Sequence, residues 1–141
     1  MDIGTRDLVL RVGGVDYSPS TQRAVVRSVP TSSTFVSFTD AQAGGKRDYI
    51  LAMTIHQDRA AGSLWRTVWA QRGTDVGFEL WPYGRPSNGI ATAAQPRCLG
   101  TATVAEPDGD LIGGEPDEDP QAVMTVEVEW LCTAKPTWDP A

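Results

Sequence analysis

Few side chains in this 141-residue chain have types and spacings that could do chemistry. The segment EPDGDLIGGEPDEDP, residues 106–120, holds seven acidic residues in fifteen, and its Asp108, Asp110 and Gly113 fall at positions 1, 3 and 6 of a calcium loop. Position 5 is Ile112, position 12 is Asp119 where a bidentate Glu is needed, and no helical pattern flanks the segment. A solvated or partner-facing loop is therefore the expectation, and no metal is assigned. His56 is the single histidine, so a Ser–His or Cys–His pair would have to use it. It lies in an apolar strand pattern and the chain has no GxSxG elbow, which makes it a structural, buried or half-buried histidine. Glu127 and Glu129 stand two apart on one strand face, a common arrangement, and nothing nearby supplies a sugar cleft. No P-loop or GxGxxG follows a strand. The expectation is a protein that is not an enzyme, with no catalytic residue and no cofactor.

Cys98 and Cys132 both fall in strand patterns, and neither has a second Cys or His at ligand spacing. They read as buried free thiols; a cross-strand disulfide would require their two strands to pair.

Charge is unevenly distributed along the chain. Residues 1–97 carry 11 basic and 8 acidic groups, residues 98–141 carry 1 basic and 10 acidic, and the total is −6. Gripping duplex DNA rests on Lys and Arg neutralising phosphates, so the acidic part argues against a DNA-binding surface while leaving a DNA-repelling one open. No apolar run approaches the roughly 18 residues of a membrane span, and the first ten residues lack a secretory apolar core, so the expected setting is a cytoplasm.

The elements that position these residues are mostly strands. Leu8 to Val12 alternates, and Gly13-Gly14 turns the chain into Val15-Asp16-Tyr17. Gln22 to Val29 places Ala24, Val26 and Ser28 on one face, and Pro30 stops it. Thr34 to Thr39 is β-branched and aromatic and predicts a strand, followed by a loop over 40–47. Asp48 to His56 is apolar on both faces, which predicts cover on both sides. Thr74 to Leu80, Arg97 to Val104 and Ala122 to Cys132 complete the strands, the last with Met124, Val126, Val128, Trp130 and Cys132 on one face and Glu127 and Glu129 on the other.

One helix interrupts this pattern, over about 59–72. Ser63 is its N-cap, Leu64, Trp65, Val68 and Trp69 form one apolar stripe, and Gly73 occupies the left-handed position after it. About ten residues of helix do not stand alone in water, so the Trp face must pack on a sheet. Lys135 to Trp138 is a non-helical tail whose aromatic residue lacks a core of its own and is free to dock on a neighbouring subunit.

Taken in order, LVLRVGGVDY, STFVSFTDAQAGGKRDYILAMTIHQD, AAGSLWRTVWAQRGTDVGFELWPYG, GTATVAEPDGDLIGGE and VEVEWLCTAKPT resemble the major tail-tube proteins of long-tailed bacteriophages, especially those infecting actinobacteria. The most specific pieces are the tract ending in Gln57-Asp58, the EPDGDLIGGE loop and EWLCTAKPT. The resemblance implies a single domain, 1–141, with N-terminal and C-terminal (133–141) extensions, built as a β-sandwich or half-barrel with one flanking helix. It implies six copies in a ring, and rings stacked into a hollow tube that passes DNA without binding it specifically. It further implies a virion component assembled in the host cytoplasm, with the tape-measure and other tail proteins as partners and no membrane contact. Another phage ring protein, such as a tail terminator or head-completion protein, is the alternative.

On this reading Glu127 and Glu129 face either the lumen or an inter-subunit contact. The 40–47 and 105–121 loops and both termini meet the next ring, through Gly44, Gly45, Lys46, Arg47, Asp108, Asp110, Glu115, Asp117 and Trp138. DNA carries about one negative charge per 1.7 Å, so an acidic lining would not retard it.

Overall fold

In a computed structural model, residues 8–30, 37–42, 47–107, 109, 111–116, 118–119 and 122–140 are described. Chain order is β1 (Val9–Val12), β2 (Val15–Asp16), a 3-10 turn (Ser18–Ser20), β3 (Thr21–Pro30), α1 (Phe38–Gln42), β4 (Arg47–His56), α2 (Leu64–Ala70), β5 (Asp75–Trp81), β6 (Arg97–Thr103), β7 (Thr125–Leu131) and β8 (Thr137–Asp139). Two antiparallel sheets form, one ordered β2-β1-β5-β6-β8 and the other β3-β4-β7. The chain is mainly β with one short packed helix, as the alternating pattern predicts, and its two antiparallel sheets agree with the β-sandwich that the resemblance implies.

Between the sheets lies one core. Leu10, Val12, Phe78 and Ala102 from the first sheet meet Ala24, Leu51, Met53, Ile55, Val126, Val128 and Trp130 from the second. Register explains the sorting: Leu51 pairs with Trp130, Met53 with Val128 and Ile55 with Val126, so one pleat face of β4 and β7 is wholly apolar. Leu64, Trp65 and Val68 of α2 join the same cluster. At one corner the sheets are stitched together by a bridge between Ala102 and Cys132 and by Thr133 N donating to Thr101 O at 2.9 Å.

The β1–β2 hairpin turns on Gly13 (φ +59°) and Gly14 (φ +84°), a pair of left-handed residues that any side chain would strain. Gly100 serves a different need. It faces Phe78 across β5–β6, and a Cβ there would come within 3.1 Å of the Phe78 ring and 3.4 Å of Pro136.

Several expectations need correction. Phe38 and Thr39 belong to helix α1, not to a strand over 34–39; residues 34–36 lie outside the described ones. Phe38 is 91% exposed, and Ala41 and Gln42 are good helix formers, so neither burial nor propensity holds this segment extended. Helix α2 spans 64–70 instead of 59–72, because Gly62 (φ +82°) breaks the turn before it. Asp58 there accepts from Ala60 N at its side chain and from Ser63 Oγ at its carbonyl. Ser63 is the N-cap, its Oγ accepting from Arg66 N at 3.2 Å, and Gly73 is left-handed at φ +86° but sits one residue later than the position assigned to it. Trp69, placed in the core stripe, is 45% exposed and meets Trp65 edge-on at 5.7 Å. On β4 the core face (Leu51, Met53, Ile55) is buried, and on the other face Ala52 is buried and Ile50, Thr54 and His56 are half-buried, with no further sheet over them among the described residues. Strand β7 starts at Thr125, and Met124 is half-exposed. The segment 133–141, read as an extension, contains β8, the edge strand of the larger sheet.

Candidate functional site

The uncovered face of β3-β4-β7 is where the candidate residues gather. Because side chains alternate, the residues of β7 between its core positions point away from the core, and Glu127 and Glu129 are both exposed there. Register sets Glu129 beside Ala52 and Glu127 beside Thr54, with Arg23 and Arg27 on β3 across the central strand. Arg27 Nη1 reaches Glu129 Oε1 at 2.8 Å, an ion pair spanning the width of β4. It lies over a strip containing Ala52, which is 2% exposed. At 41% and 55% side-chain exposure this pair is worth little to folding. Arg23 and Glu127 have no ion-pair partner among the described residues. Leu131 adds a half-exposed apolar side chain, and His56 is half-buried at the end of β4 beside Thr125.

Both edges of this sheet are relevant. Strand β3 is ten residues long and lies at the edge. Beyond the corner bridge at Cys132, β7 diverges from the chain that follows β6, and a groove of about 640 Å³ opens between Ala105–Pro107 and Thr125–Glu129. Glu106, Glu127 and Glu129 line it. Glu106 also approaches Arg72 at 3.8 Å.

The acidic loop is less free than its composition implies. Gln57 Nε2 donates to Gly113 O (2.8 Å) and Thr125 O (3.0 Å), while its Oε1 accepts from Gly113 N (2.8 Å). Trp65 Nε1 donates to Leu111 O at 3.0 Å. Glu115 is exposed, whereas Asp108, Asp110 and Asp117 lie outside the described residues, as do Gly44, Gly45 and Lys46. The calcium-loop register is thus outside the described residues at two of its three matching positions. Arg47, exposed, donates through Nε to Ser28 Oγ at 3.0 Å and through Nη2 to Ser28 O at 3.2 Å.

Trp138 sits on β8 opposite Cys98 and is 51% exposed. Both cysteines are free thiols; Cys132 is buried, while Cys98, expected to be buried, is only partly so because β8 is a short edge strand. Burial pushes both thiols above the ordinary range; for Cys132 a hydrogen bond with the Leu51 backbone opposes this, and the nearby Cys98 adds slightly to it.

The opposite outward face, on the larger sheet, carries a cluster that local sequence patterns did not reveal. Glu79 on β5 receives Arg11 from β1 at 3.2 Å and Arg97 from β6 on its other oxygen, and Arg97 also bonds Asp139 on β8 at 2.8 Å. The Arg97 guanidinium stands 5.3 Å from the centroid of Trp81, whose Nε1 donates to Glu79 at 3.3 Å. Trp81 is fully buried beneath this ladder. Four strands are joined by it, and its charges cancel internally. Comparison with family models, characterised proteins and solved structures found no match for the chain.

Proposed function

We propose that the chain is a structural virion protein, the major tail-tube protein of a long-tailed bacteriophage, whose copies form hexameric rings stacked into a hollow tube for DNA delivery. The observation that carries the reading is the ten-residue β3 at an open sheet edge. Edge strands of this length are normally shortened, covered or bent, because their unpaired backbone groups template pairing with another chain. By contrast, the edge strands of the larger sheet, β2 and β8, have two and three residues. A long edge left open among the described residues fits a subunit that completes its sheet with neighbours. The order of segments resembling tail-tube proteins, together with the outward-facing Glu127 and Glu129, also supports it.

Negative-stain microscopy of the purified protein tests the reading. Long hollow tubes are the expected result. Isolated rings that never stack would favour a terminator or head-completion role, and a monomer at all concentrations would overturn assembly altogether.

A further inference from the structure

On the outward face of the smaller sheet the two edge strands carry opposite charge. Strand β3, TQRAVVRSVP, contains two arginines and no acidic residue, and β7, TVEVEWL, contains two glutamates and no basic residue. Arg23, Arg27, Glu127 and Glu129 all lie on the face turned away from the core, at the two opposite edges of one three-stranded sheet. One ion pair, Arg27–Glu129, forms across β4 within the subunit, and Arg23 and Glu127 have no ion-pair partner among the described residues.

Resting on the assembly reading above, we infer that copies of this chain join head to tail, the basic β3 edge of one copy seating beside the acidic β7 edge and groove of the next. Edge-to-edge pairing of like strands is opposed by the same charges. Two β3 edges would set arginines against arginines, and two β7 edges would set glutamates against glutamates. A β3-to-β7 contact is the only edge pairing of this sheet that brings opposite charges together. Such a contact is heterologous: each copy offers one edge and leaves the other for the next, so growth does not stop at a two-fold dimer, and a ring results where the rotation closes. Both β3 and β7 are antiparallel to β4 and so run in the same direction. Within a ring whose axis follows the strands, the junction between copies is therefore a parallel pair.

Charge reversal in two separate chains tests this. One variant carries Arg23→Glu and Arg27→Glu, the other Glu127→Arg and Glu129→Arg. Each alone faces like charge at every junction, and the concentration needed for assembly is expected to rise about tenfold or more, read by analytical ultracentrifugation and negative stain. Mixed in equal amounts, each variant presents the edge the other lacks, and alternating assembly is expected to return. Wild-type assembly is also expected to weaken at about 1 M salt, where the screening length falls to roughly 3 Å.

If wild-type rings form and either variant assembles alone as well as wild type, or the mixture fails to recover, the β3-to-β7 contact is wrong and the ring joins through another surface, while the tail-tube reading stands. A wild-type chain that remains monomeric overturns both. Should a double variant lose its β-sheet circular dichroism, Arg23→Glu and Glu127→Arg provide the same comparison. Both positions are exposed and have no ion-pair partner within the chain among the described residues.

Discussion

The two outward sheet faces of this protein handle charge in opposite ways. On the larger sheet Arg11, Glu79, Arg97 and Asp139 neutralise one another over a buried tryptophan, and the edge strands are too short to recruit a partner. On the smaller sheet the charges sit apart by strand, one pair closes weakly, and a ten-residue edge stays open. A face that completes its own electrostatics has no use for a neighbour. The other leaves Arg23 and Glu127 without an ion-pair partner among the described residues, so it is the side on which the proposed assembly is placed.

Removing the buried support of the closed face should have the largest effect. Trp81→Ala deletes a fully buried indole together with its contact to Arg97, and an equilibrium urea titration should show a loss of about 3–5 kcal/mol. Leu131→Ala, on the open face and 52% exposed, should change monomer stability by less than about 1 kcal/mol. Equal losses would erase the distinction between the faces.

Glu79→Gln comes next. It leaves Arg11 and Arg97, both under 25% exposed, without their shared anion, and is expected to cost about 1–3 kcal/mol in the same titration. Glu129→Gln breaks an exposed pair and should alter monomer folding by no more than about 0.5 kcal/mol.

Much of this fold was legible from alternation alone. Leu51, Met53 and Ile55 on β4 and Val126, Val128 and Trp130 on β7 show the core face directly, and Ser63 marks the helix start. What remained hidden depends on distance along the chain. Glu79 bonds residues 68 and 18 positions away, and Arg97 bonds one 42 positions away, which no local period reports. The strand pattern read over Thr74 to Leu80 stops one residue short of Trp81, which is the last residue of β5 and lies under Arg97. The outward placement of Glu127 and Glu129 was readable; the opposing arginines on β3 gain meaning only once both strands flank β4.

A third comparison concerns Gly100→Ala on the closed sheet. The added methyl meets Phe78 and Pro136, and overpacking of about 1–3 kcal/mol is expected in the same urea titration.

The smallest effect is on pH dependence, and it belongs to the shared core side. Burial raises the pKa of Cys98 and Cys132 in the folded chain, so their neutral forms are favoured there. Stability from this source is fully present below the unfolded thiol pKa, roughly 8.5, and is lost as pH rises through the folded values. Thermal melts should therefore be insensitive to these thiols at neutral pH and decline in alkaline buffer, with a shallower decline in a Cys98→Ala, Cys132→Ala chain.

Gln57 has a practical consequence. Its one side-chain amide holds Gly113 and Thr125 together, so the segment between them is fastened where it begins and ends. Loop closure grows costlier only slowly with length, by about 0.6 kcal/mol per doubling. A foreign peptide spliced between Glu115 and Ala122 would thus lengthen a loop already tied at its base, leaving both sheets as they are. If the chain builds a tube, each subunit would then carry the same insert at the same place, and the particle would become a regularly spaced display scaffold.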